Sequence, residues 1–459
     1  MTDDGTDTIF ALASAAGRAG VAVLRLSGPR AGSAVQALSG GAALAGLPPP
    51  RTARRCRFTD PADGSALDDG LLLWFPAPHS FTGEDVAELH VHGGRATVEA
   101  VAGALLRLGL RLAEPGEFSK RAFLAGKIDL TEAEAIADLV DADTDAQRRQ
   151  ALGQLKGGLA GQLEGWRAAL VDTLAHIEAW IDFPDEDLPA GVEAAARARI
   201  GGLAAEIHAF LDDNRRGERL RDGFRVAIVG APNVGKSSLL NAIAARDAAI
   251  VSETAGTTRD VIEVHLDLGG WPVTLADTAG LRDSADEIER EGVRRALERA
   301  AQADFRLVVF AADAAADAAS RAVLTSGGSL AVVNKADLGD DGPAGLENTG
   351  AVRVSAKTGA GIPALLSHIG AAAAASFGGG DDGGGGSGRP ARAAPLTRLR
   401  HRTAVADCAD ALDRAVAAEA PELAAEDLRL AARALGRVTG RVDVEDLLDA
   451  IFRDFCIGK

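Results

Sequence analysis

Nine residues, GAPNVGKSS at 230–238, have the make-up of a phosphate cradle. Glycines at 230 and 235 let backbone N–H groups turn toward an anion, and a helix opening there adds favourable partial charge. The pattern GxxxxGK[ST] puts Lys236 within reach of the β and γ phosphates of a nucleotide and the Ser237 hydroxyl on Mg²⁺. Asn233, Val234, Gly235 and Ser238 complete the loop. The base is chosen further along. NKAD (334–337) and SAK (355–357) each close a strand-like run. A carboxylate such as Asp337 accepts two hydrogen bonds, from guanine N1–H and the 2-amino group. Adenine offers neither donor there, and the unpaired acceptor disfavours it. Asn334, Lys335, Ser355, Ala356 and Lys357 are the other candidates for that pocket. DTAG (277–280) supplies Asp277 behind the Mg²⁺ and the Gly280 N–H to sense the γ-phosphate, with Thr278 and Ala279 between them. GTTRD (256–260) supplies Thr258 as a second Mg²⁺ hydroxyl. Five elements in this order point to hydrolysis of GTP.

One customary part is missing. Many GTPases place a glutamine directly after DTAG to orient water, whereas this chain has Leu281. No arginine finger can be assigned. The stretch AAIVSETAGTTRD (248–260) is rich in oxygen ligands and, with Asn233, could hold a monovalent cation beside the phosphates. Such a cation would do an arginine's electrostatic work. A water-orienting carboxylate could come from DSADEIERE (283–291), where Glu289 is one of several candidates. By composition alone that acidic run reads as a solvated helix face.

The elements that must position these residues follow from periodicity. FRVAIVG (224–230), VIEVHLDL (261–268), PVTLAD (272–277), FRLVVFAAD (305–313), LAVVNKAD (330–337) and AVRVSAK (351–357) are strand-like, most of them separated by helical stretches. This predicts a mainly parallel α/β sheet. Upstream, VAVLRLSG (21–28), LLLWF (71–75) and DVAELHVHGG (85–94) predict strands and 96–110 a helix. The basic stretch RTARRCRF (51–58) reads as a solvated loop, or else as a local basic patch. From Leu152 to Ile181, apolar residues recur at steps of three and four, which predicts one long helix. A second helical stretch follows, and 395–459 is helical again. The linker FGGGDDGGGGSGRP (377–390) is flexible by composition.

Composition narrows the class. A chain of 459 residues is too long for one ordinary core. Three widely spaced cysteines make neither a disulfide framework nor a CxxC metal pair. No apolar run approaches the ~18 residues of a membrane span, and the first residues lack a basic flank before an apolar core, so a cytoplasmic location is expected. A net charge of −17 makes the chain a poor general binder of nucleic acid, although a local patch is not excluded.

The flanks of the phosphate loop are more specific than the loop. DTIFALASAAGRAGVAVLRLSG (7–28), SFTGEDVAELHVHGG (80–94), EPGEFSKRAFLAGKIDLTEAEAIADL (114–139) and the closing FCIGK (455–459) together resemble the tRNA-modification GTPases of the MnmE/TrmE family. The resemblance runs the length of the chain. It implies a multidomain α/β plus α architecture: an N-terminal α/β folate-binding and dimerisation domain (1–123), and a helical domain (124–222 and 391–459) interrupted by an inserted P-loop GTPase domain (223–377). The Gly-rich linker (378–390) would join the last two. It also implies a homodimer that works with the flavin- and NADH-using partner MnmG. Together they would build a carboxymethylaminomethyl or aminomethyl group on C5 of the wobble uridine of certain tRNAs, using a tetrahydrofolate one-carbon unit. The folate contacts would be Arg25, Glu88, Lys127 and Lys459. Potassium would lie on Asn233, Ser252, Thr254 and Thr257, with Glu253, Ala255, Gly256 and Thr258 also around the nucleotide. The catalytic glutamate would be Glu289, and the GTPase domains would activate one another by meeting across the dimer.

Two other classes compete. A ribosome-assembly or regulatory GTPase would act only as a nucleotide-dependent switch. It would be expected to carry an RNA-binding appendage, and no convincing GxxG module follows residue 357. A stand-alone folate transferase would leave the complete GTPase motif set idle. The tail sharpens the contrast. By spacing alone, Cys456 continues the apolar line of Leu448 and Phe452 and reads as a small buried hydrophobe. The end of a helix and a terminal carboxylate both disfavour a thiolate there, and Lys459 opposes them. The family resemblance instead implies a catalytic Cys456 delivered to the folate pocket.

Overall fold

The computed structural model describes residues 7–39, 46–182, 192–213, 215–246, 248–250, 263–277, 303–325, 327–339, 343, 345–346, 349–377, 396–442, 448, 451–453 and 455–458. The chain divides into two compact units. One comprises Met1–Ala137, Gln154–Glu186 and Glu419–Lys459, the other Asp138–Gly153 and Asp187–Ala418.

The first unit is built on a six-stranded sheet. Its elements are β1 (Ile9–Leu12), β2 (Ala19–Ser27), α1 (Ala31–Leu38), β3 (Arg54–Thr59), β4 (Ala66–Phe75), β5 (Val86–Gly93), α2 (Arg95–Arg107) and β6 (Arg111–Leu112), with sheet order β3-β4-β5-β2-β1-β6. Strict alternation divides the two faces. Leu24, Leu26, Leu72, Leu89 and Val91 face a core closed by Val35 and Leu38 of α1 and by Val101 and Leu105 of α2. The intervening residues Arg25, Glu88, His90 and His92 fall on the opposite face. The same alternation overturns the loop expected over 51–58. Cys56 and Phe58 are buried in the core while Arg55 and Arg57 point outward, so the basic stretch forms edge strand β3.

Helix α3 (Glu117–Leu124) is locked to the sheet by charge. Burial alone would push the Glu117 carboxyl up. Bonds from Arg111 (2.6 and 2.8 Å), the Glu114 N–H (2.8 Å) and Arg121 (2.9 Å) outweigh it and hold that carboxyl below its ordinary range. Arg121 also reaches Asp7 at 2.6 Å and Glu84 at 3.2 Å. Each buried charge is therefore paired, as burial demands.

Next come α4 (Leu130–Val140), α5 (Asp145–Leu155) and α6 (Gly158–Asp182). The single helix expected over 152–181 is two helices, because the chain turns at Gly157 with φ +76°. Only glycine adopts that backbone cheaply, and it ends a helix there. Within α6, Leu159, Leu163, Trp166, Leu170 and Ile177 keep the predicted buried stripe.

The second unit contains α7 (Val192–Leu211), α8 (Arg216–Asp222), β7 (Phe224–Val229), α9 (Lys236–Ala244), β8 (Ala249–Ile250), β9 (Glu263–Leu268), β10 (Trp271–Asp277), β11 (Phe305–Ala311), α10 (Ala318–Thr325), β12 (Ser329–Asn334), β13 (Val352–Arg353), α11 (Ile362–Ser376) and α12 (Leu399–Ala417). The sheet order is β13-β12-β11-β7-β10-β9-β8. The five strands from β13 to β10 are parallel, and β9 and β8 are antiparallel. Both faces are covered, which is why β7 and β11 read as nearly continuous apolar runs. Val226 and Ile228 meet α9 and α11 on one side, while Ala227 and Val229 share a core with Leu324 of α10 on the other. Helix α12 packs on α7 within this unit. Helix α13 (Pro421–Thr439) packs on α6 within the first.

Candidate functional site

The nucleotide candidates gather at the carboxyl ends of the parallel strands, where open α/β sheets bind ligands. The chain leaves β7 at Val229, turns through 230–235 and enters α9 at Lys236. Two glycines are required by what surrounds them. A Cβ on Gly230 would lie 2.3 Å from the Val309 carbonyl oxygen of β11. One on Gly235, at φ +90°, would lie 2.4 Å from Asn334 Nδ2. Asn233 is itself left-handed (φ 63°), a conformation that asparagine tolerates better than most residues. Lys236 Nζ donates to the Gly230 and Ala231 carbonyls, each at 2.9 Å, so its ammonium lies over the loop.

Asn334 is the hub. Its Nδ2 donates to the Val234 carbonyl at 3.0 Å, and its Oδ1 accepts from the Ala356 N–H at 3.0 Å. One buried amide thus ties the phosphate loop to the SAK loop. Asp337 is exposed and accepts from Ser355 Oγ at 2.6 Å. That bond, aided by the charge of Lys357, holds the carboxyl below its ordinary range and so keeps it ionised. Lys335, left-handed at φ 60°, is fixed by Asp313 at 3.1 Å. The sequence reading missed Asp313, although its place after strand FRLVVFAA could have marked it. Asp277 closes β10, its backbone registered against Ile228. Ser252, Glu253, Thr254, Ala255, Gly256, Thr257, Thr258, Thr278, Ala279, Gly280 and Glu289 lie outside the described residues. Ser237 of the Mg²⁺ pair and Asn233 of the potassium set are described, and both are exposed.

A second cluster forms in the first unit, on the polar face of its sheet. Arg25 of β2 stands opposite Glu88 of β5. Its Nε and Nη2 both donate to Glu88 Oε1, at 3.0 and 2.9 Å, and its guanidinium carbon lies 5.9 Å from the centre of the Phe118 ring. Arg25 Nη1 also reaches the Gly458 carbonyl at 3.5 Å. That contact spans 433 positions of sequence, and the packing explains it. Leu448, Phe452 and Phe455 are buried against Leu130 and Ala133. Ile457 then bridges to Pro115, and the Gly116 N–H donates to the Cys456 carbonyl at 3.4 Å. Gly458 has φ +104°, and a Cβ there would sit 2.4 Å from the Leu12 carbonyl oxygen.

Cys456 is exposed, which corrects the buried reading from spacing. Helical residues 451–453 give way to a bend at Phe455, so Phe455 takes the core position and the next side chain faces out. The other two cysteines are core: burial raises the Cys56 thiol and pushes that of Cys408 up to about 12. Lys127 donates to the Pro78 carbonyl at 2.5 Å, and Lys459 lies outside the described residues. His90 was not among the expected residues. Its Nε2 is 3.4 Å from Glu88 Oε2, and the alternation in ELHVH could have placed it on that face.

Comparison with known proteins identifies the family. Residues 8–127 match the family described as the GTP-binding protein TrmE N-terminus, and residues 130–456, more than half of the chain, match the MnmE helical domain. Proteins named tRNA modification GTPase MnmE are similar throughout. One from Paramagnetospirillum magneticum is 58% identical over 457 residues, covering 99% of this chain and 100% of its own length. One from Parvibaculum lavamentivorans is 57% identical over 459 residues, covering 99% and 100%. One from Rhodospirillum rubrum is 56% identical over 476 residues, covering 99% of each. The chain belongs to the MnmE family of tRNA-modification GTPases.

This MnmE-family chain thus carries two separate polar clusters, one joining the phosphate loop to Asn334 and Asp337, the other pairing Arg25 with Glu88. Among the described residues, no group of three or more His, Cys, Asp or Glu could hold a metal, and no helix is long and apolar enough to cross a membrane.

Proposed function

We propose that this chain binds and hydrolyses GTP, and that the cycle serves construction of a carboxymethylaminomethyl or aminomethyl group on C5 of the wobble uridine of certain tRNAs. The chain would act as a homodimer with MnmG as partner and a tetrahydrofolate derivative, 5-formyl- or methylene-tetrahydrofolate, as one-carbon source. The name shared by its relatives supports the activity class. The observation that carries the reading is the Asn334 hub: one amide joins a phosphate loop to a base pocket whose ionised acceptor, Asp337, fits guanine and not adenine.

The residues divide the work. Lys236 exchanges the Gly230 and Ala231 carbonyls for β and γ phosphate oxygens. Ser237 and Thr258 hold Mg²⁺, which neutralises phosphate charge when bound. Asn233, with Ser252, Thr254 and Thr257, holds potassium in the role that an arginine finger fills elsewhere. Glu289 orients the water that attacks the γ-phosphorus as the bond to the β–γ bridging oxygen breaks. In the first unit, Arg25, Glu88, Lys127 and Lys459 receive the folate. The Arg25–Glu88 pair, half-buried and closed by the Gly458 carbonyl, fits a ligand carrying both carboxylates and pterin N–H groups. Cys456, exposed on the segment docked there, is the thiol available to the carbon chemistry. The domains would run 1–123, 124–222, 223–377 and 391–459, with 378–390 as linker.

The test is nucleoside analysis of tRNA by mass spectrometry in a strain lacking this chain. The modified wobble uridine should vanish, return with the wild-type chain and fail to return with Cys456→Ser. An unchanged level in the deletion strain would overturn the reading. With the purified chain, GTP hydrolysis should run several-fold faster in KCl than in NaCl, and equal rates would remove the cation from the mechanism.

A further inference from the structure

We propose that His90 is a positioning residue of the folate pocket, its Nε2–H fixing the second oxygen of Glu88 so that the carboxylate meets a pterin N–H donor in one set direction. The inference deepens the folate reading above and rests on it.

The argument is a count of lone pairs. An ionised carboxylate offers about four acceptor sites, two on each oxygen. Arg25 places two donors, Nε and Nη2, on Oε1 and so fills it. Oε2 is left to set the ligand's geometry, and among the described residues His90 Nε2, at 3.4 Å, is its polar neighbour. Because the carboxylate can only accept, the bond requires the proton on Nε2. One acceptor site on Oε2 then remains, directed away from the imidazole and free for an N–H of the 2-amino type. Without His90, Oε2 keeps both sites and the carboxylate can pivot about its Arg25 bonds.

The surroundings favour this pairing over an incidental contact. The strand neighbours of His90 are Val23 on β2 and Leu71 on β4, both aliphatic. At that register the imidazole has Glu88 as the group to turn toward. It is also partly sheltered, its side chain 27% exposed. His92, two residues on and on the same face, is 71% exposed and bonds Asp68 at 2.8 Å. The two histidines therefore have different partners, and His92 serves as an internal control.

The experiment titrates 5-formyltetrahydrofolate into the full chain by calorimetry. His90→Leu should weaken binding roughly five- to ten-fold, within the range for one ordinary hydrogen bond. His90→Gln, whose amide can donate from nearly the same place, should stay within about two-fold of wild type, as should His92→Leu. Thermal melting of each variant separates lost binding from lost folding. If the wild type fails to bind, or Glu88→Ala binds as well as wild type, the folate reading falls and takes this inference with it. If Glu88→Ala weakens binding but His90→Leu matches wild type, the inference alone falls. It falls likewise if His90→Gln is as weak as His90→Leu, since the donor would then not be what matters.

Discussion

Asn334 donates to one loop and accepts from another, so the nucleotide pocket hangs on a single buried amide at the end of β12. Asp337, three positions on, is exposed and keeps its charge through the Ser355 hydroxyl. The two residues of NKAD thus differ in place: Asn334 ties two loops together, and Asp337 is the residue proposed to read the base. Asp337→Asn should therefore preserve the fold and change selectivity. Two charge-assisted bonds to guanine are lost, so GTP affinity should fall about 100-fold or more, while xanthosine triphosphate binding improves because an amide donates to the 2-oxo group. Competition between the two nucleotides measures this, and unchanged GTP affinity would remove Asp337 from the base site. The role proposed for Asp337 is written from the sequence alone, because NKAD carries its own hydrogen-bond logic. The roles of Asn334 as a tie and Asp313 as an anchor for Lys335 were not, because each depends on a strand neighbour.

Elements follow local rules until a single backbone position intervenes. Alternation in β2 and β5 predicted the strands, and it also divides the apolar core from the polar face that carries Arg25, Glu88 and His90. Helical periodicity over 152–181 was read correctly as burial and wrongly as continuity, since a stripe at steps of three and four survives the two-residue break at 156–157. Glycines show how local a rule can be. Gly235→Ala would meet both a left-handed backbone, costing about 1–2 kcal/mol, and the Asn334 amide 2.4 Å away. It should lower nucleotide affinity at least about ten-fold in equilibrium binding. Gly201→Ala, inside α7 with nothing within 4 Å of the new Cβ, should stabilise the second unit by about 0.5–1 kcal/mol in chemical denaturation. Wild-type nucleotide affinity in Gly235→Ala would show that the close approach of Asn334 does not govern the phosphate loop.

At the scale of the whole molecule, residues 455–458 dock beside Leu12, Pro115 and Gly116, more than 300 positions earlier in the chain. Phe455 anchors the segment in a core with Leu130 and Phe452, Ile457 bridges to Pro115, and Gly458 passes the Leu12 carbonyl where no side chain fits. Gly458→Ala should unseat the segment and expose the Gly116 N–H, now bonded to the Cys456 carbonyl. Hydrogen exchange at Gly116 should accelerate by an order of magnitude or more, and unchanged protection would contradict the docking. The sequence by itself determined the nucleotide chemistry, the two sheets and the family, because spacing within a loop and period within a strand are local quantities. Only the tertiary structure decided that Cys456 faces out, that His90 shares Glu88 with Arg25, and that Asn334 joins two loops. Each of these depends on which strand or segment the fold brings alongside, and that is set by how the cores close.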